Sequence, residues 1–335
     1  MRLIATEEAF ATPEYIDAFL AVASTSQSAG VRYAAHMIAH QQTAQRLCDV
    51  ELRLADMAAG GIATHLMSLV SPGVQIFEPD RASALAMKIN DEMASLIRRH
   101  PNKLAGLAAI APQAPAEAAA EIDRAINVLG LSGVIINSHT NGEFLDDAKF
   151  EPILAAAQQH HAPIYIHPTF PPDGMIKPFD RYEIHGALWG FAAECGLHAV
   201  RMVLGGVFDR FPDLQVVLGH MGEGLPYFLF RLDNIYQMLM SQTAPPPGML
   251  ALKRKPSEYI KTNMHITTSG MFWPDLLDFA IKAVGPEHIL FAVDYPFESS
   301  RAASDFIVKA PISAEDKTRI TSGNAERLFR IPTPS

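Results

Sequence analysis

Short apolar, β-branched runs recur eight times along this chain, each followed by a longer stretch that reads as helix. They fall at 3–6, 62–69, 104–110, 133–137, 163–167, 214–220, 260–266 and 289–293. Continuous rather than alternating apolarity marks strands covered on both faces, the pattern of a parallel sheet. Helices are expected at 13–22, 46–59, 79–99, 115–130 and 147–160, then after a loop at 168–180 through Phe211, and at 225–240, 274–284 and 314–328. Thr12 would cap the first, with Pro13 and Glu14 in its first turn. Strands alternating with helices need right-handed crossovers, and eight such units predict a single-domain (β/α)8 barrel, a TIM barrel, over residues 1–335. An open doubly wound sheet would normally show a glycine-rich phosphate turn after an early strand, and the first turn here reads Glu7-Glu8-Ala9-Phe10. Residues 24–45 are polar and without period, so they are expected as an irregular insertion after the first strand, folding over the mouth or reaching a partner.

In a parallel α/β barrel all strand C-termini open on one face, where several strands supply the reacting groups. Glu7, His167, His220 and Asp294 each sit just past an apolar run, so they are expected to meet although they span nearly the whole chain. Two carboxylates and two imidazoles in one mouth suit a divalent metal with an acid–base pair. Pro168 ends its strand and leaves His167 at the tip. Glu223 follows His220 by three residues, where it could orient the imidazole. Asp294 needs water, a metal or a partner if it is ionised there. His36, His40, His160, His161 and His265 lack the strand-tip context and read as surface or structural, while His139 could face the mouth. The fourth strand offers no lysine to bridge two ions, which argues for one metal.

Bulk properties exclude other classes. With 335 residues, 49% hydrophobic and 19% charged, the chain can bury a sizeable core. A net charge of −9 leaves no basic footprint for nucleic acid or an anionic membrane. No apolar run approaches the roughly 20 residues of a membrane span. Cys48 and Cys195 lie far apart and read as buried free thiols. The opening residues show no charged-then-apolar leader, so a cytoplasmic protein is expected.

Five motifs, taken in order, carry a resemblance. They are Thr6-Glu7-Glu8-Ala9-Phe10, Ile166-His167-Pro168, Gly219-His220-Met221-Gly222-Glu223, Asp294-Tyr295-Pro296-Phe297-Glu298 and Gly323-Asn324-Ala325-Glu326-Arg327-Leu328-Phe329. Together they resemble the amidohydrolase superfamily over essentially the whole chain. The branch most similar is the metal-dependent, non-oxidative decarboxylases of hydroxylated aromatic acids. Its γ-resorcylate and 2,3-dihydroxybenzoate members tend to carry Glu-x-His after the first strand, and Ala9 stands here where that histidine would be. Glu-Glu-Ala-Phe is similar instead to the 5-carboxyvanillate group of lignin breakdown.

The resemblance implies Glu7, His167 and Asp294 as metal ligands and His220 as a partner of Asp294 or substrate, with Glu223 behind it. It implies Arg46 and Arg231 as cations for the substrate's carboxylate and phenol side, and Phe191 as a wall for the ring. Read from the residues alone, Arg46 opens a helix, Arg231 lies on the helix after strand six, and both could be solvated charges; core packing suits Phe191 equally well. Mn²⁺ rather than Zn²⁺ is implied, with no organic cofactor, because losing one imidazole leaves an oxygen-rich site. A homodimer or homotetramer is implied, with Arg231 near the neighbouring active site. The alternative on the same barrel is a metal-dependent hydrolase or hydratase of a catabolic lactone or unsaturated dicarboxylate, using activated water.

Overall fold

A computed structural model describes residues 1–333, the side chain of Gln41 excepted. Nine strand segments form in chain order: β1 Ile4–Phe10, β2 Thr64–Leu69, β3 Leu104–Gly106, β4 Ala108–Ala109, β5 Val134–Ile136, β6 Ile164–Ile166, β7 Val216–Leu218, β8 Met264–Thr267 and β9 Ile289–Leu290. Every pairing is parallel and between sequence neighbours, β1 through β3 and β4 through β9. β3 and β4 are two halves of one barrel strand interrupted at Leu107, whose N–H still donates to the Met67 carbonyl at 2.8 Å. At the other seam the chain after β9 lies beside β1. Thr6 donates to the Phe291 carbonyl at 3.1 Å, Ala9 to Tyr295 at 2.8 Å, and Asp294 to Glu7 at 3.1 Å. Eight strands therefore form a closed ring, a TIM barrel with no free edge. Helices cover its outside, and no helix among the described residues is long and apolar enough to cross a membrane.

The break at Leu107 is sutured by a side chain. Asn90, fully buried on the helix Pro79–Arg99, accepts from the Ala109 N–H at 2.8 Å and donates to the Ala109 carbonyl at 2.9 Å. It thus supplies both partners that an uninterrupted ladder would give.

Several expected boundaries shift, each for a local reason. Residues 24–45 are not irregular: Ala29–Ala39 and Gln41–Cys48 are helical. Ala34 and Ile38, four apart, bury one face, and Gly30 packs so closely on Phe170 that a Cβ would lie 2.5 Å from it. The expected helix 46–59 is divided at Asp49, whose carboxylate accepts from the Glu51 and Leu52 N–H groups at 2.9 and 3.1 Å and caps Val50–Gly60. Arg46 therefore stands in the last turn of one helix and does not open the next. The run expected as strand from residue 260 is helix Pro256–Asn263 up to its end, and the strand starts at Met264. Helix Ser300–Lys309, capped by Ser299, was not anticipated. Cys195 is buried but Cys48 only half-buried, and neither is in a disulfide.

Asn90→Ala should cost about 2–4 kcal/mol in urea unfolding, because it strands two buried backbone groups of Ala109. A loss below about 0.5 kcal/mol would contradict the suture.

Candidate active site

Strand register brings the predicted tip residues to one end of the barrel. β1 carries a register shift between Ala5 and Glu8, and both Glu7 and Glu8 are buried in it. Glu7 points at the far wall. Its Oε2 accepts hydrogen bonds from the hydroxyls of Tyr165, Thr267 (2.8 Å) and Ser269. Its Oε1 is buried and has no hydrogen-bond partner among the described residues. Nε2 of His167 and Nε2 of His220 each lie 3.7 Å from that bare oxygen. The Pro168 carbonyl accepts from Nδ1 of His167 at 2.9 Å, so Nε2 is the nitrogen turned toward Glu7.

Donor atoms of Glu7, His167 and Asp294 all fall within 4.8 Å of one another. One cation about 2.2 Å from each donor fits such a spacing. The bare Glu7 oxygen is the stronger test, since a buried carboxylate oxygen without a partner is costly unless a cation meets it. The residues present fit a divalent metal.

His220 stands beside this triad. Its Nε2 is 3.6 Å from Asp294 Oδ2, and its Nδ1–H donates to Glu223 Oε1 at 2.7 Å. Burial disfavours its charged form, yet the Glu7 and Glu223 carboxylates outweigh burial and hold its pKa well above the usual range. Burial raises Glu7 in turn, and the imidazoles of His220 and His167 overcome that and lower it. The backbone here is unusual: five consecutive residues, His220 to Gly224, have φ between 48° and 80°. Left-handed conformations at non-glycine residues cost about 1–3 kcal/mol each and cluster at functional sites. Asp294, at φ 81°, shares the feature.

A cavity of about 900 Å³ leads outward from Asp294, His220 and Glu223 between helices Gly190–Leu204 and Leu225–Met240. Phe191 lines it and meets Phe170 edge-on, with ring centroids 5.1 Å apart. Arg231 lines it as well and has no carboxylate partner among the described residues. Arg46 does not. It pairs with Asp56 at 3.3 Å, and its guanidinium stands 5.7 Å from the ring of Tyr295, the neighbour of Asp294. His139 is turned away, bonded to the Phe170 carbonyl at 2.9 Å.

Residues 35–331 match the family described as Amidohydrolase. This chain belongs to the amidohydrolase family. A γ-resorcylate decarboxylase of Rhizobium radiobacter is 34% identical over 338 residues, covering 98% of each protein. Among solved structures, 5-carboxyvanillate decarboxylase from Sphingomonas paucimobilis shares 40% identity over 99% of both chains, with a TM-score of 0.94. The 5-carboxyvanillate decarboxylase of Novosphingobium aromaticivorans, complexed with manganese and 4-hydroxy-3-methoxy-5-nitrobenzoic acid, is 37% identical, with a TM-score of 0.94 and coverage of 98% and 96%.

The residues that hold Glu7 are not marked by the sequence pattern: Tyr165 lies inside a strand run, and the hydroxyl run Thr267-Thr268-Ser269 at the tip of β8 is the one available signal. Gly219 is the other constraint, since a Cβ there would lie 2.7 Å from Glu7 Oε1. Gly219→Ala should therefore leave the circular dichroism unchanged but weaken divalent-cation binding about 10-fold or more by calorimetry. Wild-type affinity would show that the Glu7 oxygen has no part in it.

Proposed function

We propose that the chain is a Mn²⁺-dependent carboxy-lyase that decarboxylates an ortho-hydroxylated aromatic acid, foremost 5-carboxyvanillate to vanillate. The observation that carries this reading is the bare, buried Glu7 oxygen between two imidazoles and Asp294, at the inner end of an aromatic-lined cavity. Two carboxylates and one imidazole are donors that suit manganese better than a nitrogen- or sulfur-rich set would. The manganese-bound relative at 37% identity supports the metal, and Ala9 in place of a histidine supports the carboxyvanillate group. The γ-resorcylate relative at 34% supports the runner-up substrate.

Glu7, His167 and Asp294 would hold the ion, which when bound supplies a Lewis-acid grip on adjacent carboxylate and phenol oxygens. The remaining roles belong to side chains. His220, with Nδ1–H fixed by Glu223, presents Nε2 to Asp294 and can pass it a proton. Asp294 delivers that proton to the ring carbon bearing the carboxylate. The carbon–carbon bond then breaks, its electron pair returns to the ring, and CO₂ leaves. Arg231 would meet the substrate's anionic oxygens and Phe191 would pack on its ring, whereas Arg46, outside the cavity, would have to leave Asp56 to reach them.

Leu188 (77% exposed) and Trp189 (61%) line the same cavity, and Tyr227 (78%) and Phe230 (81%) are exposed on the helix Leu225–Met240 that flanks it. Large apolar side chains left in water on the helix beside the cavity support a homodimer or homotetramer with Arg231 near the neighbouring active site. Sedimentation at micromolar protein should then give a dimer or larger, and a monomer would contradict it.

Loss of absorbance and CO₂ release should be followed for 5-carboxyvanillate, 2,6-dihydroxybenzoate and 2,3-dihydroxybenzoate, with and without Mn²⁺. Turnover should be fastest on 5-carboxyvanillate, vanish with chelator and return with Mn²⁺. His220→Ala should lower kcat about 10²- to 10⁴-fold, the usual size of a general-acid contribution. No turnover of any ortho-hydroxy acid would overturn the assignment.

A further inference from the structure

Glu8 stands next to a proposed metal ligand but faces the other side of β1, and no step of the reaction above uses it. It is fully buried. Its Oε1 accepts from the Val293 N–H at 2.9 Å, and its Oε2 accepts from the Tyr295 N–H at 3.1 Å. These two amides flank Asp294, so one carboxylate grips the chain on both sides of it. The neighbours of Glu8 complete the hold: the Glu7 carbonyl accepts from Asp294 N–H at 3.1 Å, and Ala9 N–H donates to the Tyr295 carbonyl at 2.8 Å. Three consecutive residues of the first strand thereby fix three consecutive residues after the last one. What they fix is a left-handed Asp294 at φ 81°, a conformation that persists only where its surroundings enforce it.

A second layer backs the clamp. Arg53, 1% exposed, donates through Nη2 to the Ala9 carbonyl at 2.5 Å, and its guanidinium lies 4.5 Å from the Tyr295 ring centroid. Its Nη1 approaches His65 Nδ1 at 3.4 Å, and His65 Nε2 is 3.9 Å from Glu8 Oε2. The Tyr295 hydroxyl donates to the Arg46 carbonyl at 3.2 Å. A carboxylate is the side chain this geometry asks for, because it offers an acceptor to each amide. Glutamine would set its NH₂ group against one of the two N–H donors.

We propose that Glu8 is a positioning residue for the metal: by clamping the amides of Val293 and Tyr295 it holds the Asp294 carboxylate at the spacing that Glu7 and His167 require. The inference rests on the metal reading above. Groups that orient metal ligands typically matter 10- to 100-fold in affinity or activity when removed.

The test compares Mn²⁺ binding, by calorimetry and by the electron paramagnetic resonance of the bound ion, in wild type, Glu8→Gln, Glu8→Asp, Asp294→Asn and Leu154→Ala. Leu154 is buried on the helix Glu151–Gln159 and serves as a control for destabilisation alone. Glu8→Gln should still unfold cooperatively but bind Mn²⁺ about 10- to 100-fold more weakly, with an altered resonance spectrum. Glu8→Asp keeps both carboxyl oxygens but falls one methylene short, and should also weaken binding. If Glu8→Gln does not fold, this variant decides the matter. Leu154→Ala should unfold earlier and bind Mn²⁺ as wild type does. Wild-type affinity and spectrum in a folded Glu8 variant, alongside impaired Asp294→Asn, would overturn the clamp alone. Equal Mn²⁺ binding by wild type and Asp294→Asn would overturn the metal reading and the clamp with it.

Discussion

A carboxylate sealed inside a closed barrel is the constraint on which the rest of this structure turns. Glu7 cannot keep its charge there without compensation, because an isolated buried ion loses far more hydration than a folded chain can spare. The fold compensates asymmetrically. Three hydroxyls from two other strands converge on Oε2, while Oε1 is left to two imidazoles and to whatever cation they share. Gly219 is held to a bare Cα by the same oxygen. The aim of Glu7, the identity of Tyr165, Thr267 and Ser269, and the tight turn before His220 are thus one requirement met from four strands.

That requirement also explains where the backbone is strained. The left-handed run from His220 to Gly224 turns the chain hard enough for the imidazole to reach both Glu7 and Asp294 while Glu223 holds its other nitrogen. Asp294 adopts the same unfavourable region under the grip of the first strand. Strain of this kind persists where the rest of the fold over-determines it, and here both strained segments carry groups that must meet within a few ångströms. Rigid strands thus set the positions and the turns set the directions, an arrangement that binds an ion without first reorganising.

The barrel and the meeting of Glu7, His167, His220 and Asp294 were legible because buried parallel strands are written as continuous apolar runs, and the residue after each run is easy to see. The support around them was not. Serine, threonine and tyrosine recur throughout the chain, so nothing in their order says which hydroxyls turn toward Glu7. Glu8 looked like half of an ordinary acidic pair, because a register shift in β1 cannot be read from spacing. Ala29–Ala39 is a short helix whose small apolar face, Ala34 and Ile38 with Gly30 against Phe170, gives only a weak period, and Gln41–Cys48 is polar enough to pass for loop. Asp49 divided a helix that periodicity had run together, and with it the setting of Arg46 changed.

Glu7, His167 and Asp294 would together hold one divalent ion. Anomalous scattering at the manganese edge, from crystals grown with Mn²⁺, tests it directly. A single strong peak should stand about 2.1–2.4 Å from Glu7 Oε1, His167 Nε2 and an Asp294 carboxylate oxygen. A peak bound elsewhere, or none at this triad when the ion is in excess, would contradict it.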